Sequence, residues 1–205
     1  MTFPSKSETT RAAIIERALA LASHEGLEAL TLGSLADSMK MSKSGVVARV
    51  GSRETLQLAV LDDYRRRFED QVLRPSTGRP PGLPRLRLLF EMSLAQVASG
   101  GSLSSGAGCF YISCAAEYDD RPGALRHQVS SSVAAWRDAF ERSAAQAVAL
   151  GQLAPDTDAA QLVFETYALL LAAQHDTRLL ERSDGIAHAR AGFERLLARC
   201  LHSDN

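Results

Sequence analysis

The sequence predicts an all-α fold, and three observations carry the prediction. Ala and Leu are abundant while aromatic residues make up only 6% of the 205 residues, a composition that leans towards helix. Apolar residues recur at helical spacing along most of the chain, and no stretch alternates with period two for long enough to make a strand. Short breakers rich in Gly, Pro, Ser and Asp separate these runs, and nothing repeats.

The first helix is expected over about Thr9 to His24. Ile14, Ala18 and Leu21 share one face there, Ile15 and Leu19 lie beside it, and Gly26 closes the helix. Thr31 reads as an N-cap for a short helix from Leu32 to Met39, and Ser42 as the cap of another that runs to about Val50. Gly51 stops that helix, and Ser52 caps a long amphipathic one to about Leu73. The segment Arg74–Pro84 holds four prolines and two glycines in eleven residues and is expected to be a linker. Further helices follow at about Arg85–Ala98, Cys109–Tyr118, Pro122–Leu150, Asp158–Arg182 and Asp184–Leu201. Pro122 suits a first helical turn, and Gly151 with Pro155 parts the next two helices. The Gly/Ser-rich loop Ser99–Gly108 is expected to be mobile. The chain thus divides into a three-helix unit over 1–53, a connecting helix over 54–73 and a larger helical unit over 85–205.

Composition excludes several functions. Charged residues make up 23% and the formal net charge is −1, so overall charge gives no case for a nucleic-acid binder, and any such surface must arise locally. Cys109, Cys114 and Cys200 are odd in number and unrelated in spacing, which gives no disulfide framework. With no metal-ligand spacing around them they read as small buried hydrophobes, and no metal or cofactor is expected. Met1–Thr10 is polar, without an apolar signal core, and no run reaches the roughly 20 apolar residues a membrane span needs. A cytoplasmic protein with no membrane partner is expected. His24, His127, His175, His188 and His202 are scattered, with no HExxH, Glu-x-x-His or Ser-His-Asp pattern, so no enzyme is expected.

The informative stretch is Thr31–Leu56, whose spacing is that of a helix-turn-helix. Leu32, Leu35, Ala36 and Met39 pack the first short helix inward, Met41 sits in the turn, and Val46 and Val50 pack the second. Ser42, Lys43, Ser44, Val47 and Arg49 then point outward, with Gly45 allowing close approach. Small and basic side chains at a helix N-terminus suit a major groove: backbone N–H groups and hydroxyls meet phosphate, and Lys or Arg reaches phosphates or guanine edges. Arg53 could hold another phosphate. Up to Arg53 there are seven basic residues against five acidic ones, but Lys40 to Arg53 holds four basic residues and no acid. A plain helical hairpin with a solvated basic face would show the same periodicity.

The order Thr10-Arg11, Ile14, Ala18, Gly26, Leu30-Thr31-Leu32, Leu35-Ala36, Met41-Ser42-Lys43-Ser44-Gly45, Gly51-Ser52-Arg53-Glu54 and Leu56 resembles the DNA-binding domain of the TetR family. The likeness covers about Thr9 to Leu61. It implies a homodimeric transcription regulator, usually a repressor, that reads double-stranded DNA at a palindromic operator and is released by a small-molecule effector. This chain departs from the family pattern where an aromatic residue, often Tyr, is usual at Val47, Phe at Val50 and His at Arg49. Val47 lacks the hydroxyl that reaches phosphate there, so the resemblance shifts the expected load to Thr31, Lys43 and Arg49, with Lys40 nearby. Gly108–Arg126 (GCFYISCAAEYDDRPGALR) is similar to a subset of these regulators. Physically it reads as a corner, with Asp119 or Asp120 capping the Pro122 helix, Arg121 paired locally and Glu117 either solvated or facing a ligand.

In that family the helices after the linker form a ligand pocket and the last two pair across a two-fold axis. The run from Leu162 to Ala173 is apolar nearly all round and needs cover on more than one side. Leu162, Leu169 and Leu170, with Phe193, Leu196 and Leu197 of the last helix, are therefore expected at a dimer interface, although a central core helix in a monomer would read alike. Phe90, Leu94, Phe110, Cys114, Trp136, Phe140, Tyr167 and His175 combine bulk with a few polar tips and are the candidate effector contacts. The Tyr64–Phe68 region would link pocket to DNA-reading unit. Two other readings remain: a helical interaction or ligand-binding module with a weakened DNA-binding helix, and, further off, an all-α enzyme.

Overall fold

In the computed structural model, which describes residues 6–99 and 108–201, every regular element is helical. Helices α1 (Lys6–Glu25), α2 (Leu32–Ser38) and α3 (Lys43–Val50) make the N-terminal unit, and α4 (Arg53–Phe68) leads out of it. After α4 come α5 (Arg74–Thr77), α6 (Leu83–Ser99), α7 (Phe110–Tyr118), α8 (Ala124–Ala149), α9 (Ala159–Arg178) and α10 (Gly185–Cys200). This is the expected all-α class: a three-helix helix-turn-helix unit followed by a larger helical one.

The short helices start where their caps dictate. The Thr31 hydroxyl accepts from the Ser34 N–H at 3.0 Å, Ser42 accepts from Gly45 N–H at 3.1 Å, and Ser52 accepts from Thr55 N–H at 3.1 Å. Each satisfies an amide that a helix start leaves unpaired.

Three boundaries around the prolines differ from expectation. Arg74–Thr77 is helical, so the break begins only at Gly78. The reason lies one turn earlier, where Glu69–Leu73 forms a π-turn and Arg74 N–H reaches back to Glu69 O. The wider turn keeps the Pro75 ring off the preceding carbonyls, which an α-helical register would bring into collision. Leu83 and Pro84, expected at the linker's end, instead open α6. Pro122 lies outside α8, because Gly123 adopts φ 141°, a conformation nearly restricted to glycine, and serves as the N-cap of Ala124. Neither Asp119 nor Asp120 caps that helix: the Asp119 carboxylate accepts from Asp120 N–H at 2.9 Å. The loop expected to be mobile, Ser99–Gly108, falls largely outside the described residues.

One continuous apolar core joins the two units, from Ile14, Leu35 and Val46 through Tyr64 and Phe68 to Trp136, Leu170 and Phe193. At its centre Tyr64 meets Phe110 and Tyr111 edge-on at 5.1 and 4.8 Å between centroids. Phe68 meets Trp136 at 5.3 Å, and Trp136 meets Tyr167 at 5.4 Å. Such pairs are each worth about 0.5–1.5 kcal/mol beyond their area. The buried Trp136 indole N–H donates to Ser93 Oγ at 3.0 Å, so burial costs it no hydrogen bond. Helix α4 is thereby anchored at one end in the N-terminal unit and at the other among the aromatic rings of α7 and α8.

Candidate nucleic-acid interface

Helix α3 is held from behind and open in front. Val46 and Val50 are buried against the N-terminal core, whereas Ser42, Lys43, Ser44, Val47 and Arg49 are exposed around the rest of the helix. Gly45, half-buried, keeps this face low: a Cβ there would stand 3.0 Å from Ser42 Oγ. The Arg49 guanidinium donates to Gly45 O at 2.8 Å and lies along the helix. Val47, 40% exposed, puts an apolar side chain among these polar groups. Lys40, in the turn before α3, adopts φ 53°, which costs a residue with a Cβ about 1–2 kcal/mol. It closes α2 in the usual way for a helix end, with Met41 N–H reaching back to Ala36 O at 3.0 Å.

Thr31 is exposed but committed to its capping box with Ser34. Arg53, expected at a phosphate, is likewise engaged here in an internal brace. Its Nε donates to Leu30 O at 2.9 Å, its guanidinium also donates to Glu28 O, and it pairs with the Glu28 carboxylate at 3.0 Å.

The brace belongs to a larger polar junction that ties the turn after α1 to the end of α7. Gly26, at φ 94°, reverses the chain and leaves the next two amides facing outward. The Glu117 carboxylate accepts from both, from Leu27 N–H at 2.9 Å and Glu28 N–H at 2.7 Å. A Cβ on residue 26 would lie 3.0 Å from that carboxylate, so glycine supplies both the conformation and the room. Tyr118 O–H donates to Glu28 Oε2 at 3.0 Å, and Arg121 stands 3.6 Å from the same oxygen instead of pairing locally. The buried Gln57 amide of α4 donates to Leu27 O at 2.7 Å. Burial pushes the Glu28 carboxyl upward, but the bonds from Arg53 and Tyr118 outweigh it and the net shift is down. A depressed carboxylate pKa stabilises the fold above the ordinary glutamate range, and that contribution is lost as pH falls through the folded value. Glu117, half-buried, is thus committed to these amides and is not free to face a ligand. The sequence carries no signal for this role, since its partners are main-chain amides about 90 residues away.

The end of α7 nearer the core is held as firmly. Cys109 N–H donates to the Gln174 side-chain oxygen at 2.7 Å, while the Gln174 amide donates to Cys109 O and Ser113 Oγ, each at 3.1 Å. Burial raises the Cys109 and Cys114 thiols above the ordinary range, as expected of inert core cysteines.

The candidate effector contacts fall into two groups. Phe90, Leu94, Phe110, Cys114, Trp136 and Phe140 are buried and serve as core, with Phe90 stacked on Phe193 at 3.9 Å. Tyr167 is half-buried beneath Arg137, its hydroxyl pushed up to about 12 chiefly by burial. His175 is exposed on the outer side of α9, away from these rings. The candidate dimer residues are also inward: Leu162, Leu170, Phe193, Leu196 and Leu197 are buried within one chain and Leu169 is half-buried. The apolar groups that α9 leaves exposed are Phe164, Ala168, Leu171 and Ala172. Among the described residues Asp176, Asp184 and His188 come close enough together for a metal ion, but Arg182 already occupies the Asp184 carboxylate at 3.0 Å.

Residues 82–193 match the family of tetracyclin repressor-like proteins, C-terminal domain. No curated protein matches the chain. Among solved structures, the TetR-family transcriptional regulator from Cytophaga hutchinsonii superposes with a TM-score of 0.82 at 21% identity, covering 99% of this chain and 100% of that one. AibR in complex with isovaleryl coenzyme A and operator DNA gives 0.69 at 23% identity over 89% and 96%. A protein from Saccharomonospora viridis in complex with choline gives 0.78 at 17% identity over 93% and 96%. At these identities the likeness establishes the shared fold.

Replacing Glu117 by Gln is expected to cost about 1–3 kcal/mol in urea unfolding, because one amide of the Leu27–Glu28 turn loses a charged acceptor. A change within about 0.5 kcal/mol, the usual range for a surface substitution, would show that the junction bears no load.

Proposed function

The chain belongs to the tetracyclin repressor-like regulators, by a C-terminal domain that covers more than half of it, and on that premise we propose that it is a homodimeric repressor whose α3 reads a palindromic operator until a small-molecule effector binds. The observation that carries the proposal is the α3 face. Small and basic side chains stand exposed at a capped helix N-terminus, with the apolar side buried behind them. Phosphate meets the N-terminal amides with Ser42, Ser44, Lys40 and Lys43, and Arg49 reaches a base edge or phosphate. Val47 replaces a phosphate contact with an apolar one suited to a thymine methyl group. AibR, bound to operator DNA and isovaleryl coenzyme A, supports this fold's use for both kinds of partner.

The DNA-reading unit is assigned to residues 1–53, the connecting helix to 54–73 and the sensing and dimerising unit to 85–205. We assign dimerisation to the exposed face of α9. Phe164, 59% exposed, Ala168, Leu171 one heptad on and Ala172 beside it form an apolar stripe that a second copy would cover isologously. Among the described residues no helix is long and apolar enough to cross a membrane, and a cytoplasmic place suits a DNA-binding role. The competing module with a weakened reading helix draws on Val47 alone.

Selection of bound duplexes from a random pool is expected to recover a palindrome. On the recovered duplex, Lys43→Ala is expected to weaken binding across sequences and lower the salt slope by about one unit. Weak, unselective binding with no enriched sequence would favour the weakened module. In sedimentation the chain is expected to be a dimer and Phe164→Asp a monomer; a wild-type monomer at micromolar concentration would remove the assigned interface.

A further inference from the structure

A groove of about 320 Å³ runs along the outside of α7 and α8, apart from the buried aromatic core. Its floor is apolar, built from Ala115 and Tyr118 of α7 and from Val129 and Val133 of α8. Its rim is not. Arg126, Ser130, Ala134 and Arg137 follow one another on a single side of α8, and Asp119 closes the end. The site therefore holds two cations against one carboxylate.

The state of the two guanidinium groups is informative. Arg65, Arg66, Arg67 and Arg190 each pair with a carboxylate on their own or a facing helix. Among the described residues neither Arg126 nor Arg137 has such a partner. Arg126 donates through Nε to Asp119 O at 2.9 Å, and Arg137 lies over the Tyr167 ring at 5.4 Å from its centroid. Both are held in place by groups that leave the positive charge unneutralised. A pre-positioned cation at each end of an apolar floor, with the Asp119 carboxylate near only one of them, complements a molecule with one anionic end and one apolar end.

The groove also touches the junction described above. The Tyr118 ring lies in its floor, while the Tyr118 hydroxyl donates to Glu28 in the turn that supports α2 and α3. Glu117, the next residue back, holds the two amides of the same turn. We propose that this groove binds a small organic anion with a short apolar body, its charge held by Arg137 at the end away from Asp119 and its body laid along the apolar floor towards Tyr118, and that Tyr118 and Glu117 pass its presence to the DNA-reading unit. The coupling half rests on the regulator reading given above. The binding half does not.

The two halves separate in one experiment on the full chain. Straight-chain carboxylates from butanoate to decanoate, each beside its uncharged amide, are titrated calorimetrically without DNA. At least one carboxylate is expected to bind saturably, with its amide and the Arg137→Gln variant each about tenfold weaker or more. Ala134→Trp, which fills the groove from an exposed position, is expected to abolish binding. Absence of saturable binding by every carboxylate, equal binding of the amide, or binding that survives Ala134→Trp would overturn the site. On the selected duplex, the bound carboxylate is expected to lower DNA affinity several-fold. Glu28→Ala, which removes the acceptor of the Tyr118 hydroxyl and lies outside the groove, is expected to bind the carboxylate unchanged while losing that effect on DNA. An undiminished effect in Glu28→Ala, or none in the wild type, would overturn the coupling. If no duplex is bound even without carboxylate, the regulator reading fails, and calorimetry still decides the groove.

Discussion

Two main-chain amides, those of Leu27 and Glu28, depend on one carboxylate that lies about 90 residues further along the chain. They follow a glycine that turns the chain out of α1, and no helix continues to satisfy them. A part-buried amide left unpaired costs about 1–3 kcal/mol, a large share of the roughly 5–15 kcal/mol by which a domain is stable. The turn therefore takes up the position that Glu117 offers. Since the same turn carries Glu28, which holds Arg53, and Leu27 O, which holds Gln57, the start of α4 and the support of α2 follow from it. The orientation of α3 is thus a consequence of where α7 ends.

Helix α7 is itself fixed from two directions. Gln174 of α9 takes both main-chain groups of Cys109 at its start, and the rings of Phe110 and Tyr111 lock against Tyr64 of α4. The N-terminal unit accordingly meets the rest of the chain through an apolar contact along α4 and a polar one at the tip of α7. The apolar contact resists separation but is not directional, whereas the polar one fixes an angle. A ligand that favours one position of α7 over another shifts the population of α3 orientations by its difference in affinity and by no more.

What was legible in the sequence was local. Thr31, Ser42 and Ser52 cap helices through bonds to amides three residues on, so short-range pattern suffices to find them. The inward side of the helix-turn-helix, Leu35, Ala36, Val46 and Val50, follows from periodicity in the same way. Pro75 misled because its cost depends on register, and the π-turn that relieves it leaves no mark in residue types. Apolar pattern told that Phe90, Trp136, Leu170 and Phe193 are covered, but not by what; the structure shows them covered within the chain. Phe164 and Leu171 are equally apolar and stand outside. Glu117 had no readable role at all, because a glutamate near a helix end is usually solvated and its partners here are backbone atoms. The corner expected around Pro122 exists, but it serves contacts across the molecule where pairing within the segment was expected.

The dependence of the turn on Glu117 is most directly tested by amide hydrogen exchange at Leu27 and Glu28 in the intact chain. If the carboxylate holds them, both exchange only through the opening that also exposes the buried amides of α4, with protection far above that of the exposed turn at Asp156. Exchange at both amides as fast as at Asp156, in a chain that is otherwise folded, would mean that α7 does not position the DNA-reading unit.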